Sequence, residues 1–218
     1  AVLARRQRRL GELILSDAAA RNPDPAQLAL AMLEGVRSMG LDALPWTAVL
    51  RQWQARVLFS RTAQPDATPA WPDVSDAALL TTLDDWLLPW LDGVARRTHL
   101  ARLDLRAALH GLLNWQQQQQ LDAFAPTRLE VPSGSRIAID YADPSAPVLA
   151  VRLQEVFGMA ETPRVGDGRV PLTIHLLSPA HRPVQVTRDL ASFWRTGYFE
   201  VRKDLKGRYP RHPWPDDP

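Results

Sequence analysis

The sequence of 218 residues contains no cysteine, which excludes disulfides and thiolate metal ligands. A chain without cysteine fits a reducing compartment, and we expect a cytoplasmic protein. No apolar run approaches the roughly eighteen residues that cross a bilayer, so the sequence predicts no membrane span. The arginines near the N-terminus are not followed by an apolar stretch, so we expect no signal peptide.

The motifs of catalysis are also missing from the sequence. Its lysines are Lys203 and Lys206, and neither follows a glycine as in a P-loop, where N–H groups and an ammonium surround phosphates. The five histidines show no His-x-x-x-His pair, and no Gly-x-Ser-x-Gly nucleophile elbow occurs. We therefore predict that this chain by itself has no catalytic residue, no metal site and no cofactor.

Positive charge is unevenly distributed along the chain, although the formal net charge is only +2. Residues 1–21 carry an excess of three cations, and residues 188–211 carry an excess of four. Residues 66–92 contain six aspartates and no cation. This separation is typical of a phosphate-facing side opposite an acidic side. Solvated faces without a ligand explain the same distribution equally well.

Hydrophobic periodicity divides the chain into three segments. Residues 1–21 contain a strand, over residues 2–15, whose partners we expect elsewhere because a lone strand is unstable. Residues 22–125 have helical periodicity and predict a helical bundle. Residues 126–218 change to short strand-like runs, so the sequence predicts an α+β chain that ends in a small sheet with packed helices. The strands of this sheet are predicted over residues 128–131, 136–141, 148–152, 171–177 and 183–187.

The predicted bundle has recognisable helix starts. Its helices are expected to begin at the turn Asn22–Pro25, after Trp46, at Ser75, at Leu103 and at Trp115. The third keeps its apolar period across Pro89, which should kink it. The fourth is predicted over Leu103–Leu113. The run Gln116–Gln120 is interpreted as the solvated face of the last helix, because Trp115 and Leu121 flank it at helical spacing.

The C-terminal segment combines aromatics, cations and prolines as no other segment does. Apolar residues recur at three- and four-residue steps and predict a helix over Asp189–Leu205. Arg188, Arg195 and Arg202 are seven residues apart, so they form a basic stripe beside the apolar one. Prolines after Gly207 favour an extended tail.

This composition matches a surface for single-stranded nucleic acid, where cations bind phosphates and flat rings stack on bases. The candidate phosphate-binding residues are Arg188, Arg195, Arg202, Lys203, Lys206, Arg208 and Arg211. Trp194 and Tyr198 lie on the apolar stripe, and we predict that they are core residues. Tyr209 and Trp214 in the tail either pin it into a groove or stack on a ligand.

The C-terminal part of the chain contains three distinctive motifs: Ser178-Pro-Ala-x-Arg-Pro-Val-Gln-Val-Thr-x-Asp-Leu190, Phe193-Trp-Arg-Thr196 and Gly207-Arg-Tyr-Pro-x-His-Pro-Trp-Pro-x-Asp-Pro218. Two further stretches precede them, Pro132-Ser-Gly-Ser-Arg-Ile137 and Leu149–Gly158. Together these motifs resemble the C-terminal domain of the HrpB-type DEAH-box ATP-dependent RNA helicases.

The resemblance implies a non-catalytic accessory region that assists RNA binding or packs against the motor domains of such a helicase. RecA-like motor domains, with a P-loop, ATP and Mg²⁺, would precede residue 1 in the parent protein. The implied partners are therefore those upstream motor domains and single-stranded RNA. The resemblance also implies that residues 1–21 end an OB-like β-domain, which the bundle and a family-specific domain over residues 126–218 follow.

The sequence leaves one alternative open. In that alternative the chain is a protein-interaction module of the helicase without direct nucleic-acid contact. Its anchors would be Trp71, Trp90 or the Pro-Trp-Pro tail, because buried tryptophans dominate many interfaces.

Overall fold

The computed structural model describes residue 2 and residues 5–10, 12–19 and 24–218. Its α-helices are α1 (Pro25–Met39), α2 (Ala48–Ala63), α3 (Asp76–Thr81), α4 (Leu83–Trp86), α5 (Arg97–Leu100), α6 (Leu105–His110), α7 (Trp115–Phe124), α8 (Leu190–Ser192) and α9 (Tyr198–Arg208). Its strands are β1 (Arg5–Leu10), β2 (Leu13–Ala19), β3 (Arg128–Glu130), β4 (Arg136–Asp140), β5 (Val148–Arg152), β6 (Arg164–Val165), β7 (Val170–Pro171), β8 (Thr173–Leu177) and β9 (Pro183–Thr187). Short 3-10 turns cover Leu41–Ala43, Leu88–Trp90 and Leu153–Val156, and a π-helical turn covers Phe193–Gly197. None of the helices within the described ranges is long and apolar enough to cross a membrane.

These elements form two compact units, and the boundary between them falls within α2. The first unit contains Ala1–Arg51 and Asp73–Asn114, and the second contains Gln52–Pro72 and Trp115–Pro218. Helices dominate the first unit and a five-stranded sheet lies in the second, so the predicted α+β class is confirmed. The limits of the three segments stay a prediction, because the two units group the residues differently.

The N-terminal β-structure is a hairpin, so the prediction of a single strand over residues 2–15 is wrong. β1 pairs antiparallel with β2, and the register joins Leu10 to Leu13, which leaves two residues between the strands. Two-residue loops are the commonest hairpin connections. The prediction treated Gly11 and Glu12 as part of one strand and therefore placed the partner strand elsewhere.

Helix α1 confirms its sequence signals. Asp24 caps it by accepting a hydrogen bond from the backbone N–H of Ala26 at 3.1 Å. Gly40 ends it with a φ of 80°, a conformation that favours glycine. Asn22 and Pro23 of the predicted turn lie outside the described residues.

The predicted helix across Pro89 is broken rather than kinked, into α3, α4 and the 3-10 turn Leu88–Trp90. Trp86 donates its indole N–H to the carbonyl oxygen of Leu79 at 2.9 Å. In a continuous helix this carbonyl oxygen would accept a hydrogen bond from the backbone N–H of Leu83. Pro89 has no N–H to continue the helix. The apolar period nevertheless predicts the core, since the following residues are all buried: Leu79, Leu83, Trp86, Leu87 and Leu91.

The helix predicted over Leu103–Leu113 is shorter and corresponds to α6. Asp104 fixes its start by accepting a hydrogen bond from the N–H of Ala107 at 2.9 Å. The helix ends at His110, where Gly111 donates its N–H to the carbonyl oxygen of Ala107 at 3.0 Å. The side-chain cap therefore sets a later start than apolar periodicity predicts.

Two aspartates of the acidic stretch 66–92 pair with arginines in the first unit. Arg37 contacts Asp84 at 2.7 Å, and Arg51 contacts Asp76 at 2.7 Å. At these positions the negative charge stabilises the fold, which reduces the charge that an acidic surface could present.

The sheet of the second unit is mixed, with the strand order β3-β4-β5-β8-β9. β5 and β8 are parallel, and the other neighbours are antiparallel. Each predicted strand is present, but β8 starts later than predicted because Val170–Pro171 pairs with β6 instead. Side chains alternate along β5 and β8, as the two-residue strand period requires, and the buried ones are Leu149, Val151, Ile174 and Leu176.

An aromatic cluster joins α2 and α7 to the end of β4. The ring centroid of Phe59 lies 6.0 Å from that of Phe124 and 5.0 Å from that of Tyr141. Gly166, at a φ of 65°, lies against this cluster, and a Cβ there would come within 3.3 Å of Phe59. Glycine is therefore required at this position both for its backbone conformation and for its size.

Arg56 on α2 is buried, with 6% of its surface exposed, although periodicity places it off the apolar face. Its guanidinium donates to the carbonyl oxygens of Leu121 and Ala125 at the C-terminal end of α7. It also pairs with the carboxylate of Asp122. The carbonyl of Ala125 lies beyond the helix and is satisfied by this contact, whereas the carbonyl of Leu121 also accepts the backbone N–H of Ala125 at 2.9 Å.

The glutamine run on α7 is exposed as predicted, with one exception. Gln117 is 5% exposed and donates to the carbonyl oxygen of Ala70 at 2.9 Å. Trp115, which flanks the run, is 75% exposed, whereas Leu121 is buried. The other four glutamines of the run are exposed.

Candidate nucleic-acid interface

The predicted C-terminal helix extends from Leu190 to Arg208 but is not uniformly α-helical. Asp189 caps α8 by accepting a hydrogen bond from the N–H of Ser192 at 2.8 Å. The π-helical turn Phe193–Gly197 then separates α8 from α9. A Cβ on Gly197 would lie 2.9 Å from the ring of Phe193, so the turn needs glycine where the ring crosses the backbone.

The inner side of this helical segment is aromatic. Tyr198 is fully buried, which confirms its predicted core role, and Trp194 is half-buried. The indole N–H of Trp194 donates to the carbonyl oxygen of Met159 at 2.8 Å. Its ring centroid lies 6.1 Å from that of Phe157, which continues the same cluster.

The proline-rich tail folds back onto α9. Trp214 is 8% exposed, and its indole N–H donates to the carbonyl oxygen of Tyr209 at 2.9 Å. The hydroxyl of Tyr198 donates to the carbonyl oxygen of Pro215 at 2.9 Å, and burial raises the pKa of this hydroxyl. Of the two interpretations of Trp214, the geometry favours the anchor over the stacking residue.

Arg202 binds the tail instead of extending a continuous basic stripe. Its Nε donates to the carbonyl oxygen of Trp214 at 3.1 Å, and its Nη2 pairs with Asp216. Arg188 precedes α8 and lies outside the helix. Arg208 contacts Asp204 at 3.3 Å across one helical turn.

The remaining predicted cations are exposed and form no ion pair among the described residues. They are Arg188, Arg195, Lys203, Lys206 and Arg211. Tyr209 is half-buried, with its ring centroid 6.2 Å from that of His212, so it also belongs to the folded tail.

An exposed aromatic ring lies among these cations. Phe199 on α9 is 50% exposed. Lys203 and Lys206 follow it at four and seven residues, which places all three on one helix face. Arg195 precedes Phe199 by four residues, in the π-helical turn. We call Arg195, Phe199, Lys203 and Lys206 the cationic face.

The neighbouring positions on α9 limit the positive charge of this face. Glu200 and Asp204 are exposed one step around the helix, and Asp204 is paired with Arg208. No group of three or more histidines and carboxylates in the described ranges is placed to hold a metal ion. The arrangement therefore places exposed cations beside an exposed ring, a combination that can contact phosphates and stack on a base.

Comparison with known proteins identifies the family. A family model described as ATP-dependent helicase C-terminal matches residues 86–218. The chain belongs to this helicase C-terminal family. The ATP-dependent RNA helicase HrpB of Escherichia coli (strain K12) is 47% identical over 213 residues, which are 98% of this chain. The chain spans only 26% of the length of that relative.

Two solved structures of E. coli HrpB contain a region with the same fold as this chain. One, described as a DExH-box NTPase, matches 98% of this chain and 26% of its own, with a TM-score of 0.83 and 47% identity. The other, described as a DEAH/RHA helicase, matches 96% of this chain and 26% of its own, with a TM-score of 0.73 and 45% identity. The predicted HrpB-type family is confirmed.

Phe199 is the residue of the cationic face that periodicity did not identify. It follows Tyr198 directly, so it lies about 100° around the helix from the predicted apolar stripe and was not assigned to it. The sequence does contain a signal for it, because cations flank Phe199 four residues away on both sides.

The alternative of an interaction module loses two of its anchors, since Trp71 and Trp214 are buried, while Trp90 is 40% exposed.

Proposed function

We propose that this chain is the accessory RNA-binding region of an ATP-dependent RNA helicase. The family and the E. coli relative support this assignment. The observation that carries it is the cationic face, where an exposed phenylalanine lies between cations one helical turn away on either side. Bases of a single strand would stack on Phe199, while Arg195, Lys203 and Lys206 bind the flanking phosphates.

The residues of this chain do not fit ATP and Mg²⁺. The sequence has no lysine after a glycine, so a P-loop is absent from it. We therefore assign nucleotide hydrolysis to RecA-like motor domains in the rest of the parent protein, and these motor domains are its intramolecular partners. This region would hold the RNA strand that those domains move.

The proposal is tested by fluorescence anisotropy with a short labelled single-stranded RNA and the 218-residue chain. Replacing Phe199 with alanine removes one stacking platform and should weaken binding about tenfold, since a stacked base contributes about 1–3 kcal/mol. The matched control is Trp115→Ala, because Trp115 is exposed but has glutamines instead of cations one turn away. This control should bind like the wild type.

The electrostatic part is tested by the salt dependence of the same assay. The double substitution Lys203→Gln and Lys206→Gln should reduce the slope of log affinity against log salt by about 1.4, at about 0.7 per phosphate contact. Arg106→Gln, an exposed cation on α6, should leave the slope unchanged. Absence of RNA binding at low salt would refute the proposal and leave packing against the motor domains as the role.

A further inference from the structure

A pocket of the second unit lies where the turn between β3 and β4, the 3-10 turn Leu153–Val156 and the tail come together. Its volume is about 280 Å³. Ser135, Arg152, Gln154, Glu155, His212 and Pro213 are among the residues that line it. We call it the hairpin–tail pocket. It does not include any residue of the cationic face.

The charges in the hairpin–tail pocket cancel. Arg152 binds Glu155 through two hydrogen bonds, of 3.2 Å from Nε and 3.1 Å from Nη2. The hydrogen bond from Arg152, with a further one from Ser135, lowers the pKa of Glu155, so its carboxylate is ionised at neutral pH. A phosphate would therefore meet a cation that a carboxylate already neutralises. The pocket suits a neutral polar group better than an anion.

One polar atom of the pocket residues lacks a partner. The side-chain nitrogen of Gln154 has no solvent contact and no hydrogen-bond partner among the described residues. Buried donors almost always have an acceptor, so this nitrogen is an exception among the described residues. The side chain lines the pocket, and a turn of its terminal amide would direct the donor toward a bound acceptor.

The remaining lining includes two rings. The imidazole of His212 and the pyrrolidine ring of Pro213 line the same pocket as Gln154 and Glu155. A flat molecule with both acceptors and donors at its edge matches this combination. Unpaired nucleobases have these properties, and proteins bind them by stacking and by hydrogen bonds to their edges.

We propose that the hairpin–tail pocket binds one unstacked nucleobase of a single-stranded RNA. This proposal rests on the proposed function, because the cationic face would deliver the strand. The pocket would add a contact of a different kind. The cationic face would bind phosphates and stack on any base, whereas the pocket would form hydrogen bonds to the edge of one base.

The test is a nuclear magnetic resonance titration of the ¹⁵N-labelled 218-residue chain, which follows the side-chain amide signal of Gln154. The probes are the four ribonucleoside 5′-monophosphates and ribose 5-phosphate, which keeps sugar and phosphate but lacks a base. At least one nucleotide should shift the Gln154 signal at millimolar concentration, while ribose 5-phosphate should not. Gln154→Leu should weaken binding of that nucleotide about tenfold. Because this variant has no Gln154 amide signal, its binding is measured from the backbone amide signals of residues around the pocket.

The matched control is Gln119→Leu, the same change at an exposed glutamine of α7. It should leave nucleotide binding unchanged. Gln154→Leu removes an unpaired donor, so the thermal midpoint of this variant should be no lower than that of the wild type. This result would exclude misfolding as the cause of weaker nucleotide binding.

Four results would overturn the proposal. Equal shifts with ribose 5-phosphate would identify an anion site. Equal nucleotide binding by Gln154→Leu and the wild type would place the base elsewhere. Absence of any nucleotide effect, while the labelled RNA still binds the cationic face, would reject the pocket and retain the proposed function. Absence of both kinds of binding would reject both.

Discussion

Replacing Arg56 with methionine tests how the end of α7 is held in the second unit. The guanidinium makes hydrogen bonds to the carbonyl oxygens of Leu121, at 3.1 Å, and Ala125, and pairs with Asp122. Methionine keeps the apolar stem but removes every donor. We therefore expect both carbonyls to lose their bond from the guanidinium, although the carbonyl of Leu121 keeps its bond from the backbone N–H of Ala125 at 2.9 Å.

The magnitude follows from the burial of each partner. Hydrogen bonds to a charged group contribute about 1.5–3 kcal/mol each, so the two carbonyl bonds amount to about 3–6 kcal/mol. Part of this is offset because the variant no longer buries a charge, and we expect a net loss of about 3 kcal/mol. Asp122 has a side chain that is 86% exposed, so Asp122→Asn should cost less than about 1 kcal/mol.

Urea denaturation followed by circular dichroism measures both variants, and a thermal scan provides a second measurement. A loss of about 3 kcal/mol corresponds to a decrease of about 6–12 °C in the thermal midpoint for a chain of this size. If Asp122→Asn destabilises as much as Arg56→Met, the ion pair rather than the carbonyl bonds holds the helix. If Arg56→Met changes the free energy of unfolding by less than about 0.5 kcal/mol, the reasoning from burial is refuted.

Two further predictions concern the C-terminal part of the second unit. Gly197→Ala should destabilise by about 1–3 kcal/mol in urea denaturation, because its Cβ would lie 2.9 Å from the ring of Phe193. The Cβ of Gly207→Ala would meet nothing within 4 Å in the described part of the chain, so this variant should raise the free energy of unfolding by about 0.5–1 kcal/mol. Equal changes in the free energy of unfolding for Gly197→Ala and Gly207→Ala would contradict the argument from the Phe193 ring. The Arg152 hydrogen bond lowers the pKa of Glu155 in the folded state, so its contribution is present above the ordinary pKa of 4.5 and is lost as pH falls below it. Unfolding measured between neutral and acidic pH should therefore depend less on pH in Glu155→Gln, and an unchanged dependence would contradict the pairing.

Local signals account for the parts of the fold that the sequence predicts. Asp24, Ser75 and Asp189 cap helices that begin close to the predicted starts, because a cap acts on backbone within three residues of itself. The strands of the sheet likewise follow a two-residue period. The exceptions involve partners that are distant in sequence. Arg56 binds carbonyls 65 and 69 residues away, and no local pattern distinguishes it from a solvated arginine.

In the candidate site, too, the sequence does not show which charged residues are paired with distant residues. Counting cations identifies the C-terminal segment, but it does not show which of them the fold already uses. Arg202 is paired with Asp216 and Arg208 with Asp204, whereas Lys203 is exposed without an ion pair in the described residues. The difference depends on the path of the tail, which folds back because Trp214 is buried.

The π-helical turn decides which side of α9 faces the tail. In a continuous α-helix, residues three, seven and eleven after Leu190 would share its buried face. The turn shifts this face by one residue, so Tyr198, Arg202 and Leu205 face inward, with the spacing of i, i+4 and i+7. The cationic face repeats the same spacing one residue later, at Phe199, Lys203 and Lys206. One inserted residue therefore turns the first set inward and exposes the second set to solvent, and π-helical turns are frequent at functional sites.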